Sequence, residues 1–199
     1  CQGIVEAGIK FEWGAKTRMD LLDPDLLESM ARAGCTKVGF GLESGVYDHR
    51  KTMRKDFGND KVKELFDAAN RLNVDPACTI IFGHPDETED DMRSSLEMVK
   101  SVDAAYVEFH IMVLIPKTTL YYRAVKEGKV MPDAFDRFMR GEAGYPEYAP
   151  GDLTPADMRR IHREAIKDFY LRPGYVARQA RRARRPGDPG AGQGPAPGR

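Results

Sequence analysis

Two stretches place reactive side chains directly after apolar segments. In VGFGLES, Val38 to Ser44, a carboxylate and a hydroxyl, Glu43 and Ser44, follow an apolar run. A carboxylate in that position can accept hydrogen bonds from ligand hydroxyls or from an ammonium group, or it can cap the next turn. In ACTIIFGHPDET, Ala77 to Thr88, a β-branched run Cys78 to Phe82 leads into Gly83 and then into Glu87. Gly83 would let backbone approach a ligand closely. Glu87 reads as a helix-start charge rather than as a ligand.

Other chemistries lack their residues. Cys1, Cys35 and Cys78 are separated by 34 and 43 residues, and no CxxxCxxC occurs. Cys35 and Cys78 read as small apolar residues at or beside buried strands. An odd, sparse set argues against a disulfide scaffold and fits a reducing, cytoplasmic setting. None of His49, His84, His110 and His162 stands at metal-ligand spacing from another histidine or a cysteine, so no metal site is expected. His110 reads as a core histidine of an apolar strand.

The elements that would position these residues alternate. Cys1 to Ala7 reads as a helix end stopped by Gly8, and Ile9 to Thr17 as a strand. Asp23-Pro24 opens a helix, with Leu27, Met30 and Ala31 on one face and Gly34 at its end. Lys37 to Leu42 is a second strand, and a short helix follows over Val46 to Met53. Asn59 caps a helix burying Val62, Leu65, Phe66 and Ala69. The strand at Cys78 leads to a helix opened by Thr88 and Asp91, at capping-box spacing, with Met92, Leu96 and Val99 inward. Ala105 to Leu114 is a fourth strand, and Thr118 to Glu127 a helix ended by Gly128.

Four strand–helix repeats in about 120 residues suit βαβ units and a parallel sheet. Right-handed crossovers bring the strand-end loops to one rim. That rim holds Arg18 and Asp20, Glu43 and Ser44, Gly83 to Glu87, and Pro116 to Thr119. Periodicity leaves a closed barrel, an open barrel and a flat doubly wound sheet equally open.

The organisation is residues 1–130 as the α/β part, 131–185 as a loop plus helical extension, and 186–199 as a tail. Arg140 to Asp152 reads as loop, Thr154-Pro155 opens a helix facing Met158, Ile161, Ala165 and Phe169 inward, and Tyr175 to Arg185 as a short basic helix. Four prolines and five glycines among the last fourteen residues predict disorder. With 41% hydrophobic and 31% charged residues among 199, a globular fold with a core is expected. No apolar run reaches the ~20 residues a membrane span needs. The net charge of zero is asymmetric. From Arg172 onward seven arginines and one aspartate give +6, so residues 1–171 carry −6. The basic tail permits phosphate contact, but with Tyr175 as its one nearby stacking ring no specific nucleic-acid partner is expected. The favoured reading is a solvated tail, and contact with a partner protein or an anionic lipid surface is equally compatible.

Read together, four segments resemble the second half of a radical S-adenosylmethionine (radical SAM) core, of the subgroup often fused to a cobalamin-binding domain. They are WGAKTRMDLLDPDLLESMARAGC (Trp13 to Cys35), VGFGLESG with the downstream MRK at Met53 to Lys55, IIFGHPDET (Ile80 to Thr88) and IPKTTLY (Ile115 to Tyr121). FYLRP, Phe169 to Pro173, resembles that subgroup's C-terminal extension. The resemblance implies the C-terminal part of a partial (β/α)6 TIM-like barrel. It implies S-adenosylmethionine and a [4Fe–4S] cluster as cofactors, cobalamin as a further one, and radical methylation or rearrangement of a small-molecule substrate with an electron-donor protein as partner. It implies cofactor contacts at Glu43, Ser44, Lys55, Ile81 and Gly83, with Lys55 pairing the cofactor carboxylate and Ile81 and Phe82 beside the adenine. No catalytic residue is assigned.

The chain departs from the pattern at named places. The cluster loop and the first two barrel strands are absent, which reads as a fragment starting inside the core, or as loss of the cluster. His84 and Asp86 stand where the subgroup commonly has an apolar residue and glycine, and Lys117 and Thr119 where it commonly has glycine and glutamate. Two other readings compete: a non-catalytic α/β module binding a nucleotide or partner, and a barrel enzyme using rim carboxylates with a divalent metal.

Overall fold

The computed structural model describes residues 1–182, so the segment 186–199 and the end of the basic helix lie outside the described residues. Four strands, β1 (Trp13–Thr17), β2 (Cys35–Glu43), β3 (Asp75–Phe82) and β4 (Tyr106–Ile111), form one sheet. All neighbours are parallel and their order is β1-β2-β3-β4. A doubly wound sheet reverses its order and carries helices on both faces. This sheet does not reverse, and burial alternates along β3 and along the Val38–Glu43 part of β2. It is therefore a segment of the barrel type, helix-covered on one face.

The covered face carries Val38, Phe40 and Leu42 of β2, Cys78, Ile80 and Phe82 of β3, and Val107 and Phe109 of β4, all buried. Against them pack α2 (Pro24–Arg32), α4 (Asn59–Arg71), α5 (Glu89–Ser101) and α8 (Pro155–Tyr170). Each helix is amphipathic as its sequence requires: Leu27 and Met30, then Val62, Leu65, Phe66 and Ala69, then Met92, Leu96 and Val99, then Met158, Ile161, Ala165 and Phe169 are buried. Asp23 caps α2 through Leu26 N, and reciprocal capping boxes, Thr88 with Asp91 and Thr154 with Asp157, open α5 and α8. The remaining helices are α1 (Gln2–Glu6), α3 (Tyr47–Thr52), α6 (Thr119–Lys126), α7 (Ala134–Met139) and α9 (Pro173–Arg182). A second cluster, Leu114, Tyr121, Ala124, Val130 and Tyr148, lies around α6.

Several local expectations need correction. Residues 9–12 form no strand, and Phe11 is about half exposed. Asn59 does not cap α4. Gly58 holds that position, and the Asn59 amide oxygen instead accepts from Arg50. β4 stops at Ile111, three residues short, where Met112 N donates to Phe82 O and the chain turns away. Ahead of the Arg140–Asp152 loop lies α7, which no sequence signal singles out because its six residues are too few to show a period.

The opposite face of the sheet is lined by alternate residues: Lys16, Gly39, Gly41, Glu43, Ala77, Thr79, Ile81, Tyr106, Glu108 and His110. It is left open by the described residues, with Tyr106 51% exposed. His110 is correspondingly not a core histidine. It lies on this face with its ring 3.7 Å from Glu108.

Candidate cofactor site at the carboxyl ends of the strands

β2 ends in a bulge. The register with β3 slips between Gly41 and Glu43, so Glu43 pairs with Ile80. Glu43 takes a left-handed backbone, φ 67°. A bulge re-aims the residue that carries it, and a left-handed non-glycine residue stores strain. Here the effect is to turn Glu43 toward Lys55. Lys55 Nζ donates to Glu43 Oε1 at 2.6 Å and to Gly41 O at 2.7 Å. Both side chains are mostly buried, 13% and 17% exposed. The second carboxylate oxygen, Glu43 Oε2, is buried and has no partner. A methyl group on Gly41 would lie 2.6 Å from Lys55 Nζ and 2.7 Å from Glu43 Oε1, so glycine at 41 keeps the pair closed. The alternate glycines of VGFGL are the trace of this in the sequence.

Ser44 points elsewhere. It is fully buried, its hydroxyl 3.4 Å from Ser95 Oγ of α5 and accepting from Val46 N. Gly45 N donates to the same Ser95. These contacts dock the turn onto α5, and they leave the Ser44 side chain away from the open face. The Ser44 carbonyl is held from behind by Arg50, a buried side chain that belongs to no motif.

β3 ends at Gly83, φ 97°. A methyl group there would press on Met158 Cε at 3.2 Å and Met112 Cβ at 3.3 Å. Glu87 is not a helix-start charge. It precedes α5 and is 2% exposed, and its Oε2 accepts from Gly83 N at 2.6 Å and His84 N at 3.0 Å. Its other oxygen is buried without a partner. Burial pushes the Glu87 carboxyl up to about 7, against the opposing pull of the two amides. His84 is 4% exposed with Nε2 unpartnered, and burial, then the neighbouring His49, push it down to about 4. The His49 and His84 rings stack at 6.1 Å, and His49 Nε2 lies 3.5 Å from Asp91. Ile81 lies on the open face of the sheet, half-buried, beside the loop. Phe82 does not join it: fully buried, it stacks on Phe109 in the core. Asp86, φ 67°, pairs with Arg123 of α6, tying this loop to the next.

At β1, Arg18 binds Asp20 and donates to Arg54 O at 2.6 Å, which ties that rim to the Lys55 loop. The structure thus brings Glu43 and Lys55 together, sets Ile81 and Gly83 on the neighbouring strand end, and turns Ser44 away. The cysteines supply no cluster site. Cys35 and Cys78 are free, buried, and both thiols are pushed up chiefly by burial, while Cys1 is exposed. Among the described residues no three His, Cys, Asp or Glu side chains converge as a metal site.

Comparison with known proteins bears on the fold that carries these residues. Residues 5–99 match the family model of the radical SAM superfamily. An uncharacterized methyltransferase of Pyrococcus horikoshii is 23% identical over 170 residues, 85% of this chain and 36% of that protein. Among solved structures, the cobalamin- and [4Fe–4S]-bound radical SAM methyltransferase TsrM of Kitasatospora setae superposes with TM-score 0.56 at 15% identity, over 65% of this chain and 26% of TsrM. Coproporphyrinogen III oxidase of Escherichia coli, a radical SAM enzyme, superposes with TM-score 0.58 at 12% identity, over 80% of this chain and 32% of its own. The chain spans about a third of these proteins, and the superpositions establish its α/β, TIM-like fold. With the family model matched across β1, β2 and β3 and that fold in place, the chain resembles the radical SAM superfamily, of the cobalamin-associated subgroup.

Proposed function

We propose that this chain is the S-adenosylmethionine-recognising part of a radical SAM enzyme that methylates or rearranges a small organic substrate, with cobalamin as a further cofactor and a protein electron donor. The observation that carries this is the Glu43–Lys55 pair at the end of β2, with the second Glu43 oxygen buried and without a partner. Lys55 has an ammonium to offer a ligand carboxylate, and Glu43 Oε2 has capacity for a hydroxyl or ammonium donor. Gly83 gives backbone access and Ile81 an apolar surface for a flat base. Ser44 acts, in this reading, by fixing the turn behind Glu43. Bound S-adenosylmethionine supplies the alkyl group or the radical precursor for such chemistry. The cysteines present do not fit a [4Fe–4S] cluster, so no radical-generating step is assigned to these residues, and we place the cluster loop in sequence outside them. The free buried Cys35 and Cys78 suit a cytoplasmic enzyme.

The test is calorimetric titration of S-adenosylmethionine into the complete protein, reconstituted with its cluster, and into its Glu43→Gln variant. A hydrogen bond to a charged group is worth ~1.5–3 kcal/mol, so affinity should fall about tenfold or more. Equal affinity would overturn the assignment. A complete gene lacking CxxxCxxC upstream of these residues would instead favour a non-catalytic nucleotide- or partner-binding module.

A further inference from the structure

Among the described residues Arg50 is the largest fully buried side chain, at 0% exposure. It lies on α3 and is the buried residue of that helix. Among the described residues no carboxylate stands at ion-pair distance from it. Its partners are neutral acceptors: Nη1 donates to Ser44 O at 2.8 Å, Nε and Nη2 to Phe57 O at 3.3 Å, and Nη2 to Asn59 Oδ1 at 2.5 Å. The Phe57 ring lies against it, 5.3 Å from the guanidinium carbon. Burying a guanidinium without a counter-ion is unfavourable, and an apolar side chain of similar volume would fill the space at lower cost. Packing does not explain the residue.

Its acceptors do. Ser44 immediately follows the left-handed Glu43. Phe57 and Asn59 flank the loop that carries Lys55 and lead it into α4. That loop is closed on its other side by backbone: Lys55 N donates to Arg50 O at 3.0 Å and Phe57 N to Lys55 O at 3.1 Å. One planar fork therefore spans the strand end bearing Glu43 and the loop bearing Lys55, and it touches neither side chain. Three fixed donor directions suit that task, and a lysine's single nitrogen does not reproduce them.

We propose that Arg50 is a positioning residue that holds the Glu43 and Lys55 segments in register, and so sets the affinity of this pair for the S-adenosylmethionine it faces. The inference rests on the reading of Glu43 and Lys55 as ligands of that cofactor.

Two measurements on the complete protein test it. The first needs no cofactor: the acetylation rate of each lysine is followed by mass spectrometry in the cluster-free protein. Lys55 should react far more slowly than Lys16, whose side chain is 83% exposed. In Arg50→Lys, Lys55 should react about tenfold faster. Lys129, held by Ala149 O and Gly151 O elsewhere in the fold, should keep its rate. The second is S-adenosylmethionine affinity of the reconstituted protein. Arg50→Lys should bind about fivefold more weakly, and the loss should vanish when Lys55→Met is already present. A folded Arg50→Lys protein with unchanged Lys55 reactivity overturns the proposal, as does an equal affinity loss with and without Lys55→Met. Should Arg50→Lys not fold, Asn59→Ala removes one of the fork's three acceptors and must raise Lys55 reactivity two- to threefold, roughly in proportion to that loss. An unchanged rate then overturns it. If Glu43→Gln and Lys55→Met both bind the cofactor like the parent, the ligand reading fails, while the acetylation rates still judge whether Arg50 holds the loop.

Discussion

The Glu87 carboxylate accepts from two successive amides, Gly83 N and His84 N, and so clamps the turn that ends β3 from beneath. Glu43, one strand away, has one oxygen salt-bridged to Lys55, and in both carboxylates the other oxygen is buried without a partner. Two glutamates at neighbouring strand ends thus differ in what they hold, two backbone amides for Glu87 and the Lys55 ammonium for Glu43. The buried Glu87 has no cation partner among its hydrogen bonds, and that makes its contribution depend on pH.

Glu87 sits at about 7 in the folded chain, against 4.5 ordinarily. The folded state therefore holds a proton that the unfolded state has released between those values. Stability from this group is complete below pH 4.5 and is lost as pH rises through 7. Glu87→Gln keeps an oxygen for both amides and carries no charge. It should match wild type near pH 5 and exceed it at pH 8 by on the order of 1–3 kcal/mol. Urea unfolding at the two pH values measures the gap, and a gap that does not widen with pH would show that Glu87 is solvated.

His84 titrates in the other direction. It is held at about 4, below its ordinary 6.5, so its contribution is present above pH 6.5 and lost as pH falls through 4. His49, stacked on it, and Asp91 beyond are the titratable neighbours. His84→Leu should be more stable than wild type at pH 4.5, the advantage shrinking toward pH 7. An advantage constant across that range would place the imidazole in contact with water.

How much of this was legible beforehand follows from range in sequence. Strand and helix periods, the Thr88–Asp91 box, the Thr154-Pro155 helix start and the apolar runs that lead to Glu43 and Gly83 are local, and they stood in the chain as written. Arg50, Glu87 and Ser44 did not. Arg50 reads as one more charge on a short polar helix, yet its acceptors lie six to nine residues away across a loop. Glu87 beside Glu89, Asp90 and Asp91 reads as dipole complement, but the turn at Pro85 folds it under the loop. The choice between barrel and flat sheet depends on strand order, which no local pattern carries.

The departures from the family's glycines have a backbone consequence. Asp86 and Lys117, both where that subgroup commonly has glycine, take φ 67° and 65°. A left-handed L-residue with a long side chain costs roughly 1–2 kcal/mol, part of which glycine returns as unfolded-state entropy. Lys117→Gly should therefore stabilise the chain by about 0.5–1 kcal/mol. Lys63→Gly, on the exposed face inside α4, should destabilise by about 1 kcal/mol. Denaturant midpoints that shift in the same direction for both would contradict the assigned backbone.

The last prediction concerns the cysteines. Cys35 pairs in register with Trp13 and Cys78 with Phe40, so the two thiols are offset by five residues along β2, roughly 16 Å at ~3.3 Å per residue. Cys35 donates to Lys37 O, and burial disfavours the thiolate at both positions. Iron–sulfur clusters need several thiolates converging on one point. Anaerobic reconstitution of this 199-residue chain with iron and sulfide should thus leave no stoichiometric cluster after desalting. Cys35→Ala and Cys78→Ala should behave identically to the parent in that assay, while each loses stability through a buried cavity. Stoichiometric iron and sulfide with a broad band near ~400 nm, abolished by either substitution, would mean that the sheet opens to bring the two thiols together. The parallel register between β2 and β3 would then be wrong.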